Sequence, residues 1–374
     1  SEHFIYIACP WSPAGGGMFK VADYLIQAQA AHTPEQAAQL RPLDTRGGGS
    51  ALASSWMLLT ALAKLVRGRI EGTLAGVHVN MAERLSLVRK GTVVVACRAL
   101  GIPVVIHLHA QMRRFYQSLP SPLKRLTRWM FSLASTVVVI GSTGRRFVMD
   151  ELGVPAHRIE IVFNGVPGPA QPRAHRPADG ARRVAFVGRL CEPKGVTDLL
   201  LALARPGLDT SRLEVTLAGS GDIEGYEAKA RSLGIDGFVR FAGWCDQAQV
   251  DELLGEADVL VLPSHDEVLP LVVLEALANG VAVVCTPVGE LPVVLTEGVN
   301  ARFVEPGDVD GLAATLQDVL SQPELLARLG RNGRALYEQQ FSLSRFFANV
   351  ARIHRRHFGM AGHVDSHPSQ EAAQ

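Results

Sequence analysis

The sequence predicts an α/β protein of two domains, each a parallel sheet covered by helices on both faces. Three observations carry this expectation. Strand-length apolar runs alternate with helical segments in two successive series, the order that builds parallel sheets. Residues 168–181, GPAQPRAHRPADGA, are rich in Pro and Gly without apolar periodicity and read as a linker between the series. The 374 residues are enough for two separate cores. The domains expected are 1–177 and 178–342, and the polar residues 361–374 read as a disordered tail.

The first series opens on the strand HFIYIACP, the loop WSPAGGGMFK and a helix from about Phe19 to Ala31. Strand, glycine loop, helix is the order that sets a helix N-terminus at a phosphate, so Gly15, Gly16 and Gly17 are expected over a diphosphate. The strands GVHVNM, VVIHLHA and STVVVIGS follow. His107 and His109 alternate in VVIHLHA and are read onto opposite strand faces, His107 into the core and His109 at the carboxyl end. The second series runs RRVAFVGRL, LEVTLAGSG, VRFAGW, ADVLVLPS, VAVVCTPVG and ARFVEPGD, then a helix over about 323–339 and the amphipathic FSLSRFFANVARIHRRHF.

Charge divides the chain. Residues 1–177 hold 20 Lys+Arg and 9 Asp+Glu, a balance of +11, which leaves 17 and 27, or −10, for residues 178–374. No base-stacking aromatics or nucleic-acid motif accompany the basic half, so an anionic membrane or a lipid-diphosphate acceptor is expected there and nucleic acid is not. Within it, residues 113–130 interleave Arg113, Arg114, Lys124, Arg125 and Arg128 with Phe115, Tyr116, Trp129 and Met130, as an interfacial helix or an ordinary amphipathic one would. Arg84, Arg89 and Lys90 stand near another strand end, where an anionic acceptor could dock. No apolar run approaches the roughly 18–20 residues that span a bilayer, and no signal segment is read at the amino terminus. Five dispersed cysteines without C-x-x-C spacing read as reduced cytosolic thiols.

The chemistry concentrates after strands of the second series. Glu267-Val-Leu-Pro-Leu-Val-Val-Leu-Glu275 runs from the loop beyond ADVLVLP into a helix opening near Pro270, so two carboxylates flank a helix N-terminus suited to an anion. Taken alone, the pair reads equally as a solvated loop acid and a helix-surface acid. GRLCEPKG places Arg189 and Lys194 at a strand's carboxyl end, where open α/β sheets bind ligands; a fork of donors and a point charge suit a diphosphate. AGSGDIEG lacks the G-x-G-x-x-G spacing of dinucleotide enzymes, which makes an oxidoreductase signal weak. Asp308-Val-Asp310 precedes a helix and reads as capping rather than a metal site.

Glu267, Pro270, Leu274, Glu275, Ala276 and Gly280, with Gly188, Arg189, Lys194 and Gly195, resemble the signatures of the retaining family-4 glycosyltransferases. Val268 stands where that family usually has Gly and Val293 where Glu is common; the first puts close backbone approach to the donor in question. The resemblance implies the GT-B fold of two Rossmann-like domains, with residues 343–360 crossing back to the first. It implies a nucleotide-sugar donor held by Gly16, Gly17, Gly188, Arg189, Lys194, Gly219, Glu267, Leu269, Pro270, Leu271 and Glu275, with Gly243 and Trp244 at the base. It implies that His109, Arg189, Lys194 and Glu267 serve the reaction, without metal or cofactor. The acceptor expected is a lipid-diphosphate-linked oligosaccharide of bacterial surface polysaccharide assembly, the donor GDP-mannose, and the place the cytoplasm, either free or at the cytoplasmic face of the inner membrane. A nucleotide-sugar epimerase, a phosphorylase or a non-catalytic binding subunit of the same architecture are the alternatives.

Overall fold

The computed structural model describes residues 3–11, 16–31, 38–47, 51–171 and 180–359. Gly15, most of the stretch read as a linker and the tail read as disordered lie outside them. The first sheet comprises β1 (Phe4–Cys9), β2 (Gln39–Asp44), β3 (Leu74–Met81), β4 (Val104–Leu108), β5 (Thr136–Val139) and β6 (Ile159–Ile161), in the order β2-β1-β3-β4-β5-β6. The second comprises β7 (Arg182–Val187), β8 (Leu213–Ala218), β9 (Val239–Gly243), β10 (Val259–Leu262), β11 (Ala282–Cys285) and β12 (Arg302–Phe303), in the order β12-β11-β10-β7-β8-β9. Every pairing is parallel.

Burial on both faces explains the strand sequences. VVIHL, VLVL and AVVC of β4, β10 and β11 are buried at every position, as strands covered by helices on both sides must be. The sequence reading passed over β2, QLRPLD, whose exposed Arg41 and Pro42 suit an edge: Pro has no ladder donor to give. Helices Ala51–Ile70, Leu85–Ala99 and Ser121–Ser132 cover one face of the first sheet through residues such as Leu65, Val94 and Phe131. Helix Gly16–Ala28 covers the other face, joined there by the last helix, Leu343–His357, whose Phe346, Phe347 and Val350 meet Ile5, Ile7 and Leu25. The chain therefore passes between the domains twice, and the two passages touch. Val166 forms a parallel bridge with Ser342, its amide donating to the Phe341 carbonyl at 3.0 Å.

Strand order also fixes where ligands fit. In each sheet the chain reverses its direction of travel once, between β1 and β3 in the first and between β7 and β10 in the second, opening a crevice beyond the strands' carboxyl ends. Contacts from one domain to the other gather at those ends.

Candidate active site

The loops after β7 and β10 meet across the second crevice. Gly195 has φ +71°, and a Cβ there would fall on the Pro263 carbonyl oxygen, so only glycine lets the two loops press together. His265 strengthens the contact, its amide donating to the Pro193 carbonyl at 2.9 Å and its Nε2 lying 2.7 Å from Asp198. Lys194 Nζ consequently sits 2.5 Å from Glu267 Oε1, which also accepts from Ser264 Oγ at 2.9 Å. Arg189 stands exposed near the start of the same loop. Gly219 has φ +152°, and a Cβ there would fall on the Gly188 carbonyl oxygen, so loop packing alone accounts for glycine at 219.

Glu275 is not a surface acid. It lies 2 % exposed on the buried helix Leu271–Ala278, with Lys20 Nζ of the first domain 2.5 Å from Oε1 and the Tyr24 hydroxyl 3.1 Å away. Burial, then the Glu275 charge, raise the Tyr24 phenol above its ordinary pKa, which keeps it a donor. Its other neighbour is Gln247 Oε1, at 2.8 Å. Glu275 Oε2 is buried with no hydrogen-bond partner among the described residues. A buried carboxylate oxygen without a donor is costly, and a ligand hydroxyl would relieve it. Pro270 opens the helix in extended backbone, Leu269 is buried beneath it, and Leu271 reaches both domains' cores, 3.8 Å from where a Gly17 Cβ would stand. Gly17, beside Gly16 at the start of the first helix, thus faces this N-terminus across the cleft.

From the first domain, the loop beyond β4 arrives. Gln111 Nε2 donates to the Glu267 carbonyl at 2.5 Å, so the loop that opens with His109 just past the end of β4 meets the Glu267 loop. His107 and His109 do not point to opposite faces: their rings overlap at 4.1 Å and 35°, because residues i and i+2 of a strand share a face. His109 Nε2 lies 2.7 Å from Asn80 Oδ1. Desolvation, then the charges of His78 and Lys90, lower its pKa to about 3, so the ring is neutral and donates to Asn80. Behind it His107 Nδ1 meets His78 Nε2 at 3.2 Å, and His78 Nδ1 meets His354 Nε2 at 2.8 Å. His107 Nε2 is buried with no hydrogen-bond partner among the described residues, so this core histidine is only half satisfied there.

Glu290 closes the far side of the cleft. Its buried carboxylate accepts from the Thr143 amide at 2.7 Å and the Ser142 amide at 3.1 Å, capping helix Ser142–Asp150 of the first domain across the cleft. Its amide donates to the Val268 carbonyl at 2.8 Å. Val268 needs no glycine conformation, since Arg84 alone among described non-glycine residues has positive φ.

Other expectations shift. Lys90 is fully buried, its Nζ 3.1 Å from Met18 Sδ and its pKa lowered to about 7 by burial, so it offers no surface dock. In residues 113–130, Tyr116 and Met130 belong to the core, and Glu151 engages both Arg113 and Arg128. Gly243, φ +72°, ends β9, and Trp244 beyond it is 63 % exposed rather than packed. Asp308 caps the helix after it through the Gly311 amide at 2.9 Å, and Asp310 pairs with Arg205 at 2.7 Å. The sequence reading missed Lys20, Tyr24, Asn80, Gln111 and Glu290; Lys20 and Tyr24, one turn apart on the helix that follows the glycine loop, were the visible signal.

Residues 77–167 match the family described as Glycosyltransferase Family 4, and residues 169–336 match Glycosyl transferases group 1. The chain is 28% identical to a glycogen synthase of Mycobacterium tuberculosis over 68% of its own length and 63% of that protein. It is 31% identical to an MMP alpha-(1->4)-mannosyltransferase of Mycolicibacterium hassiacum over 59% of its length and 54% of that protein. It thus spans less than two thirds of either relative. The structure of Anabaena HepE in complex with UDP and glucose superposes with a TM-score of 0.71 at 18% identity, over 94% of this chain and 99% of that one, a likeness of fold. Two matched segments, one in each α/β half, thus make the chain similar to glycosyltransferases, on a fold of two Rossmann-like domains.

Proposed function

We propose that the protein transfers a sugar, with retention of anomeric configuration, from a nucleoside-diphosphate donor to a lipid-diphosphate-linked acceptor, without metal or cofactor. The observation carrying this reading is the meeting of Lys194, Glu267 and the half-partnered Glu275 at one crevice beneath a helix N-terminus. Arg189 and Lys194 take up charge as the diphosphate leaves, and Lys194 exchanges its Glu267 partner for phosphate oxygens. Freed of Lys194, Glu267 orients sugar hydroxyls and stabilises positive charge growing at the anomeric carbon. Glu275 receives ribose hydroxyls on Oε2, and Trp244 lies near the base. Neutral His109, fixed by Asn80, accepts a sugar hydroxyl on Nδ1. The acceptor oxygen attacks the face the diphosphate leaves, and its proton passes to a departing phosphate oxygen, which balances the step. Mannose from a guanosine donor, for bacterial surface polysaccharide, is the specific pairing proposed; the mannosyltransferase relative supports the sugar.

A thermal-shift screen of nucleoside-diphosphate sugars tests it. A binding donor at about 100 times its Kd adds about 2.7 kcal/mol to folded-state stability. That gain is expected with GDP-mannose and lost in Glu275→Ala; an equal gain in the variant removes Glu275 from the donor site.

A further inference from the structure

Three neighbouring helices of the first domain turn an apolar face to solvent. On Ala51–Ile70 the core side is held by Ala61 and Leu65, yet Leu52, Trp56, Leu59, Val66 and Ile70 are exposed at 84, 71, 59, 42 and 80 %. Their spacing of three, four or seven residues (and multiples of a turn) aligns them in one stripe opposite the core. Leu85–Ala99, which lies between the other two helices, exposes Leu85, Val88 and Val95 in the same manner. Ser121–Ser132 exposes Leu123, Leu126 and Trp129. A water-facing helix surface is ordinarily polar, and contiguous apolar patches of this kind mark contact sites.

The charges on these helices are all of one sign. None contains an Asp or Glu, while each carries Lys or Arg beside its stripe. Arg67 is paired with Glu71 just past its helix. Lys64, Arg98 and Arg125 join no ion pair with a described residue. Apolar and Trp side chains flanked by cations suit the headgroup and acyl boundary of an anionic bilayer, with the cations on lipid phosphates. A second copy of the chain would instead bring cations against cations. Each of the first two helices begins beyond a strand's carboxyl end, so Leu52, Trp56, Leu85 and Val88 lie toward the cleft edge. No described helix is long and apolar enough to cross a membrane.

We infer that this three-helix face docks the protein on the surface of an anionic lipid bilayer, with the cleft edge of the first domain toward the lipid. The inference uses none of the donor chemistry, so a water-soluble acceptor would leave it standing. The test is flotation of the full chain with phosphatidylcholine vesicles, with and without phosphatidylglycerol. Wild-type protein is expected to float only with the anionic vesicles, and less at high salt. Trp56→Glu combined with Leu59→Glu is expected to cut partitioning by about tenfold or more, while Val299→Glu on the second domain leaves it unchanged. The thermal shift with a nucleoside-diphosphate sugar checks that each variant is folded. Absence of flotation with anionic vesicles overturns the inference, as does equal flotation of the double variant. A concentration-dependent dimer that the double variant dissolves would assign the face to a second copy and overturn it equally.

Discussion

The two domains share a sheet architecture and differ in what their helices show to water. Of the sixteen large hydrophobic side chains exposed among the described residues, thirteen lie at or before Ile161 and only Trp244, Val293 and Val299 beyond it. The charge balance divides the same way, +11 over residues 1–177 against −10 over 178–374. The second domain brings Arg189, Lys194 and Glu267 to the cleft on loops at strand ends, and its described helices expose few large apolar side chains. The first domain carries its distinguishing features on helix exteriors. A domain's function can thus be written either in its loops or on its skin.

That contrast can be broken by mutation, most sharply at the loops after β7 and β10. Lys194→Ala is expected to lower kcat by about 10²–10³, the usual cost of losing a charge that stabilises the transition state, with the melting temperature little changed; steady-state sugar-transfer kinetics measure it. Gly195→Val forces a side chain onto the Pro263 carbonyl at positive φ and is expected to cost about 3–5 kcal/mol in urea unfolding. Acidification probes the first domain. Burial lowers His78 to about 4, and the other three histidines of its chain shift in the same direction. The unfolded chain takes up these protons near pH 6.5 while the folded chain resists them. Stability should therefore be constant above that pH and fall below it by up to about 1.4 kcal/mol per pH unit for each histidine. His354→Gln should flatten the slope of stability against pH; an unchanged slope removes His354 from the buried chain. The smallest effect is expected at Trp56→Glu, within about 0.5 kcal/mol in free solution because the ring already faces water.

Much of the fold was legible because buried parallel strands announce themselves as uninterrupted apolar runs, as VLVL and AVVC do. β2 was not, since its edge position lets QLRPLD carry charge and proline. Lys194 and Glu267 were legible as local loop patterns. Their partners were not: Tyr24 reaches Glu275 across 251 positions and Gln111 reaches Glu267 across 156, and such pairs exist only once two domains face each other. The stripe on Ala51–Ile70 was invisible for a different reason. Apolar residues recur on several sides of that helix, so periodicity could not say which side met the core.

Val166 and Ser342 lie side by side where the chain passes twice between its halves. Two adjacent leaves on one pin make a door rather than a tether. A swing about that pin would open the cleft and part Lys20 from Glu275 and Thr143 from Glu290 in a single movement. Cutting the backbone at one leaf would still leave the door hung by the other.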